Sequence, residues 1–408
     1  MASISPLLVS TGCLRCNFPF KRSPISAPRT WSRSISAYGY TQAKALVYSE
    51  HGNPADVLSL HTHSLSPPHS NLLTLRTLTA PLNPADINQI QGSYPTSPSA
   101  FSSTIGTPTP TAVPGNEACF EVLSTGSGCK SVQRGDWVIP RSTGLGTWRT
   151  HLQCGEDAIT RVVAAGKKDH GNVMGGVSAK QVGTVSVNPV TAWRLLQDFG
   201  DLNSGDWYIQ NGANSGVGRF VSQLGRMWGF RGIAVVRKRE EGMQALKDEM
   251  RALGAERCVT DEEVNHPDFK ERLAEWTKGG REEVKLGLNC VGGPEMGGMV
   301  KALAKGGTVV TYGAMSKKPM RVGAASLIFK DLRFVGFWVS RWAERFPDEK
   351  RRTVEEVLEL YRQKKVVDVP YTDVQWDWDT ESKVLLDAVQ GTLDGFRGGK
   401  GIFVFGDT

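Results

Sequence analysis

No apolar run in this 408-residue chain approaches the roughly 20 residues that a membrane-spanning helix needs, so no membrane association is expected. Acids are missing from the first forty residues, and the first in the chain is Glu50. The same stretch carries Arg15, Lys21, Arg22, Arg29 and Arg33 together with eight serines. That composition is the one expected of an organellar import peptide rather than of a secretory signal, because the apolar stretch Pro6–Val9 is too short for a signal core. Beyond it the chain holds 43 basic against 41 acidic residues, so the net charge of +7 is mostly the leader's. A near-neutral body lacks the basic footprint of a nucleic-acid binder. The seven cysteines are scattered and odd in number. Cys13 and Cys16 have ligand-like spacing but no second pair, so neither a disulfide framework nor a structural zinc site is expected.

What is present argues for two or three domains, given the length and an apolar fraction of 39%. Lys44–Tyr48 and Val57–Leu60 read as paired strands around a Gly-Asn-Pro turn. Residues 61–69 read as a polar connection in which His61 and His63 are exposed edge histidines. Asn71–Leu78 reads as a strand, and residues 96–114, rich in Ser, Thr and Pro, as a long loop. Short strands at Ala118–Leu123, Asp136–Ile139 and His151–Cys154 point to a barrel-like all-β lobe. Within this lobe residues 86–95, DINQIQGSYP, read as a polar loop ending in turn residues, with one phenol, Tyr94. Alone, Tyr94 is either a turn aromatic packed on the lobe or an acid facing a substrate.

After Pro189 the rhythm becomes alternating helix and strand. Val190–Phe199 has helical spacing, Trp207–Gln210 is strand-like, Arg219–Trp228 helix-like and Gly232–Val236 strand-like. The alternation continues through Gly307–Tyr312, with Phe334–Val339 expected to close a parallel sheet. Residues 347–364 form an amphipathic helix whose stripe is Val354, Val357, Leu358 and Tyr361. The terminal strand Gly401–Phe405 is expected to return to the β lobe, making that lobe discontinuous in sequence.

Asn211-Gly-Ala-Asn-Ser-Gly-Val-Gly218 lies between a strand and a helix of a βα unit, where backbone N–H groups and the helix N-terminus suit a pyrophosphate. A tight strand–helix turn with no ligand is the plainer reading of the loop alone. After the next strand stand Arg237, Lys238 and Arg239, where a site for NADH usually has an acid. Three cations suit the 2′-phosphate of NADPH; the plainer alternative is a solvated charge cluster.

Taken together these features resemble the medium-chain dehydrogenase/reductase superfamily over about residues 41–408. NPADINQIQGSYP, Gly146–Arg149, Asn188–Trp193, Leu288–Gly293, Val310–Met315, Ile328–Asp331 and Gly336–Trp338 are similar to the mitochondrial trans-2-enoyl-thioester reductases. The resemblance implies an α/β protein: a Rossmann-type, doubly wound parallel sheet plus a discontinuous GroES-like β-barrel catalytic domain. It implies a mitochondrial targeting segment at 1–38, a catalytic domain from 41–178 and 340–408, and an NADPH-binding domain at 179–339. Zinc-dependent members carry a Cys and a Gly-His-Glu where this chain has Asn83 and Gly115-Asn116-Glu117, so no metal is expected.

By the same resemblance Tyr94 would be the proton donor, with Trp338 orienting it or packing the sheet. Asn188, Asn214, Ser215, Gly216, Val217, Arg237, Lys238, Arg239, Tyr312, Gly313, Ala314, Met315, Phe337, Trp338, Val339 and Lys400 would line the NADPH site. The implied reaction is NADPH-dependent reduction of a trans-2-enoyl thioester of acyl-carrier-protein or CoA by a homodimer in the mitochondrial matrix, with no nucleic-acid partner. Hydride would go to C3, and the enolate left behind would take a proton at C2. A zinc-independent NADPH quinone or alkenal reductase is the alternative. Arg321, Lys330, Arg333 and Arg341 are candidate contacts for an acidic carrier.

Overall fold

The structure is a computed structural model that describes residues 39–95, 101–166, 173–294, 296–394, 399–406 and 408. The expected targeting segment, 1–38, lies outside the described residues. β1 (Thr41–Val47) and β2 (Ser59–Leu65) pair antiparallel, and α1 (Pro54–Val57), a single helical turn, replaces a plain turn between them. The second strand runs through His61 and His63, which are therefore not part of a connection. His63 is buried, at 8% exposure, so the expectation of two exposed histidines fails for it. Alternation along β2 turns His63 inward, and its ring stacks on His61 with centroids 5.7 Å apart.

β3 (Leu72–Pro81) leads to α2 (Pro84–Ile90), β4 (Cys119–Thr125), β5 (Trp137–Pro140), β6 (His151–Gly155) and β7 (Ile159–Val163). The short hairpin β8 (Val173–Met174) and β9 (Val177–Ser178) opens onto α3 (Ala179–Thr184). From there the chain alternates: α4 (Asn188–Asp198), β10 (Trp207–Gln210), α5 (Gly216–Met227), β11 (Arg231–Val236), α6 (Met243–Ala252) and β12 (Ala255–Thr260). α7 (Asp261–Asn265), α8 (Phe269–Trp276), β13 (Val284–Asn289), α9 (Met296–Ala302), β14 (Thr308–Thr311), α10 (Ala324–Ile328) and β15 (Arg333–Gly336) complete this half. α11 (Val339–Arg345), α12 (Pro347–Arg362), β16 (Tyr371–Trp376), α13 (Ser382–Asp394) and β17 (Lys400–Phe405) end the chain.

Two large sheets result. One has seven strands, ordered β16-β17-β3-β4-β5-β7 with β6 also on β3, and is antiparallel except for the β16–β17 pair. Strands near the C-terminus thus sit beside strands from the first half of the chain. The other has six parallel strands in the order β12-β11-β10-β13-β14-β15, the doubly wound Rossmann arrangement. Its residues alternate between faces: Tyr208 and Leu286 pack with α4, α5 and α12 residues, while Trp207, Ile209 and Ile233 pack with Val264, Phe269 and Met299. Burial on both faces is why these strands read as continuous apolar runs.

The helices follow their end signals. α12 starts with Pro347 and carries Asp348 and Glu349 in its first turn and Arg362 in its last, complementing the helix dipole. Its predicted stripe, Val354, Val357, Leu358 and Tyr361, is buried. Two expectations change. DINQIQ is the helix α2 rather than loop, because Ile87 and Ile90 enter the core and Asp86 reaches back to the Asn83 N–H at 2.8 Å. The closing strand stops at Gly336, and the chain turns at Trp338 into α11.

Candidate active site

Gly92 ends α2 with φ of +70°, a left-handed conformation that glycine adopts without steric cost. The backbone then curls back, with Ser93 N and Tyr94 N both donating to Asn88 O. This turn aims the half-buried Tyr94 away from its own lobe and at Trp338, beyond the last strand of the parallel sheet. Trp338 Nε1 donates to the Tyr94 hydroxyl oxygen at 2.8 Å, and the rings meet edge to face at 5.8 Å. An indole N–H only donates, so the phenol oxygen is the acceptor and its own proton is left to point elsewhere. Burial raises the Tyr94 pKa above its ordinary value, against the lowering pull of Trp338 and Ser340. The structure therefore brings together the two residues singled out as catalytic candidates.

The second cluster forms at the C-terminal ends of β10, β13 and β14, where the strand order reverses direction and doubly wound folds place their ligands. Ser215 caps α5, its Oγ accepting from Gly218 N at 3.2 Å. A Cβ on Gly216 would stand 2.4 Å from Asn188 Nδ2, and one on Gly218 2.4 Å from Ala213 O. Asn188 is thus pressed against the glycine turn, and side chains are excluded from the backbone around Asn214–Val217. An open helix N-terminus lined by bare backbone is what a dinucleotide pyrophosphate requires, so these residues fit NADPH. Tyr312–Met315 is held beside it, with Met315 N donating to Cys290 O at 3.0 Å. The Tyr312 hydroxyl lies beside Cys290 and Ser215, and burial raises its pKa.

A belt of amides holds these loops together, and sequence reasoning did not single it out. Asn211 Nδ2 donates to Asn289 Oδ1 at 2.8 Å while Asn211 Oδ1 accepts from Cys290 N at 2.8 Å. Asn289 Nδ2 reaches Thr311 Oγ1 at 3.1 Å. The signal was an Asn at or just after the end of two strands, a position where buried amides commonly satisfy loop backbone.

Arg237–Arg239 follow β11 and are exposed. Lys238 pairs with Glu262 at 2.6 Å, and its N–H donates to Asp261. Arg237 and Arg239 form no ion pair among the described residues, so two of the three cations are open to a phosphate. Phe337 is buried against Phe199 at 5.6 Å. Among the carrier candidates, Lys330 donates its ammonium to the carbonyls of Lys301 and Leu303.

Lys400 Nζ donates to Asn83 Oδ1 at 2.6 Å. Asn83 Nδ2 in turn donates to Glu117 Oε2 at 2.9 Å. Asn116 Nδ2 reaches Asp86 Oδ1 and Gln89 Oε1, each at 2.6 Å. Burial pushes the Asp86 carboxyl up to about 7 and the Lys400 ammonium down. These positions stand where zinc ligands were considered, and the donor set does not suit Zn²⁺. Two are amides, an ammonium fills the space beside them, and no group of three or more His, Cys, Asp or Glu among the described residues has metal-holding geometry.

Comparison with known proteins places this geometry. Residues 216–361 match the family model described as zinc-binding dehydrogenase. The chain is 38% identical to the mitochondrial enoyl-[acyl-carrier-protein] reductase of Schizosaccharomyces pombe, over 92% of this chain and 98% of that protein. A solved complex of Etr1p with NADP and crotonyl-CoA superposes with a TM-score of 0.83 at 34% identity, covering 89% of this chain and 99% of that one. The mitochondrial 2-enoyl thioester reductase Etr1p/Etr2p heterodimer from Candida tropicalis gives 0.83 at 35% identity, with the same coverage. With its Rossmann strand order, its separate antiparallel sheet and similarity along nearly its whole length, the chain belongs to the mitochondrial enoyl-[acyl-carrier-protein] reductase family of the medium-chain dehydrogenases/reductases.

Proposed function

We propose that this protein is an NADPH-dependent reductase of trans-2-enoyl thioesters, carried on acyl-carrier-protein or CoA, acting in fatty-acid synthesis in the mitochondrial matrix. The observation that carries the reading is the Trp338–Tyr94 hydrogen bond, which joins an acid on one lobe to the end of the cofactor-binding lobe. NADPH, when bound, supplies the hydride that adds to C3.

The chain's own residues do the rest. Gly216 and Val217 offer backbone N–H groups to the pyrophosphate, while Ser215 N is held by Gly212 O at 2.9 Å and Asn188 packs behind the turn. Arg237 and Arg239 pair with the 2′-phosphate. The thioester carbonyl is itself an electron sink, so no metal is needed to take up charge. Tyr94 holds the proton destined for C2. Trp338 fixes the phenol oxygen and leaves the O–H directed outward, and burial keeps the phenol protonated.

The test is NADPH-dependent reduction of crotonyl-CoA by the parent protein and by Tyr94→Phe. A kcat drop of at least about a hundredfold in the variant is expected from the loss of a general acid. Unchanged kcat removes Tyr94 from the reaction.

A further inference from the structure

The chain passes from the antiparallel lobe to the parallel one between α3 and α4, through Val185–Val187. That crossing is gripped by one carboxylate. Glu117, with 0% exposure, sits just before β4 in the antiparallel lobe. Its Oε1 accepts from Val187 N at 2.7 Å and from Ser186 Oγ at 3.1 Å. Its Oε2 accepts from Asn83 Nδ2 at 2.9 Å. Asn83 is the residue from which α2 starts, and α2 ends in the turn that carries Tyr94. Val187 immediately precedes Asn188, the first residue of α4, which is pressed against the glycine turn. One side chain therefore ties the start of the acid-bearing helix to the start of the cofactor-side helix.

We propose that Glu117 is a positioning residue that sets the distance between the Tyr94 hydroxyl and the cofactor cleft by bridging the two lobes through Asn83 and Val187. A carboxylate suits the task because its two oxygens can each serve one lobe, and charge-assisted bonds of this kind are short and directional. The inference rests on Tyr94 acting as the proton donor. The competing role is charge balance: Glu117 favours the charged forms of Lys400 and of Lys350, whose Nζ donates to Arg141 O at 2.6 Å. The two roles separate on length. Aspartate keeps the charge beside both lysines, but its carboxylate is withdrawn by about 1.5 Å and cannot hold both lobes at once.

The experiment compares the parent, Glu117→Asp and Tyr94→Phe with NADPH and crotonyl-CoA, in H₂O and D₂O. For Glu117→Asp we expect kcat to fall about tenfold and the solvent deuterium effect on kcat to rise, because protonation at C2 becomes slower than hydride addition. The NADPH dissociation constant, read by cofactor fluorescence, should move less than about threefold, since the glycine turn keeps its own supports. Parental kcat in Glu117→Asp, or a fall with an unchanged solvent effect, overturns the bridge and leaves charge balance. If Glu117→Asp does not fold, Ser186→Ala removes one donor only, and it must show the raised solvent effect with a smaller loss; an unchanged effect overturns the proposal. A Tyr94→Phe protein with parental kcat defeats the proton-donor reading and the bridge with it. A crippled Tyr94→Phe beside a normal Glu117→Asp defeats the bridge alone.

Discussion

Trp338 holds the Tyr94 hydroxyl oxygen at 2.8 Å although the two residues are 244 apart in sequence and belong to different lobes. Phenylalanine at 338 keeps the edge-to-face ring contact and removes the only N–H. Loss of one hydrogen bond to a partly buried group costs about 1–1.5 kcal/mol, so Trp338→Phe should lower kcat about tenfold in steady-state assays with crotonyl-CoA. A larger aliphatic change such as Trp338→Leu should cost more, because the ring that fixes the phenol is lost too.

The direction of the Tyr94 shift sets the alkaline limb. The acid works only while protonated, and burial raises its pKa above the ordinary phenol value of about 10. The activity that depends on it should therefore stay level through pH 9 and fall only above about 10. A pH profile of kcat whose basic limb has a midpoint below 9 would assign that limb to another group.

The three cations after β11 are not equivalent. Lys238 is engaged with Glu262, whereas Arg237 and Arg239 are open. Arg237→Ala and Arg239→Ala should each raise KM for NADPH about tenfold, the worth of a charge-assisted contact, and leave KM for NADH unchanged. Lys238→Ala should have a smaller effect. The comparison of both cofactors across the three variants checks this.

The architecture was legible where local pattern decides structure. Trp207–Gln210 has the same bounds in sequence and structure, because a buried parallel strand carries its signal within a few residues. α2 was not legible, because its buried Asp86 and Gln89 look like loop residues until Asn116, 30 and 27 positions away, is seen to satisfy them. The same holds for Glu117, whose partners Asn83 and Val187 lie 34 and 70 residues away. Tyr94 could be singled out only through resemblance to a family, since nothing near it in sequence marks an acid.

β15 is the outer strand of the six-stranded sheet, and beside it α10 exposes Leu327, Ile328 and the adjoining Phe329 at 50, 69 and 74%. An unpaired edge with so much apolar surface is an interaction site or a liability. A sheet edge can pair with a second copy of itself across a two-fold axis, so self-association through this edge is the expected outcome. Phe329→Asp should shift the protein from dimer to monomer in sedimentation or light scattering. A parent protein that is monomeric at micromolar concentration would refute this placement.

Acid should unfold the antiparallel lobe first. His63 and His151 are both buried, and burial followed by the nearby arginines, Arg149 for His63 and Arg76 for His151, lowers each to about 4. An unfolded histidine titrates near 6.5, so between 6.5 and 4 the unfolded chain binds more protons than the native one. Stability is then fully present above about pH 6.5 and declines as pH falls toward 4, by at most about 3 kcal/mol for each group. Below pH 4 both states are charged and these groups cause no further loss. The two rings also repel when charged, so their contributions are coupled rather than additive. Both His63 ring nitrogens are buried without hydrogen-bond partners among the described residues, so His63→Phe removes an unsatisfied polar group while keeping a ring to stack on His61. Urea midpoints measured at pH 7 and pH 5 should differ less in His63→Phe than in the parent, the residual slope combining the loss from His151 with an opposite contribution from Asp86, whose raised pKa makes the native state the better proton binder there. An equal difference in both proteins would mean that His63 does not govern the acid limb.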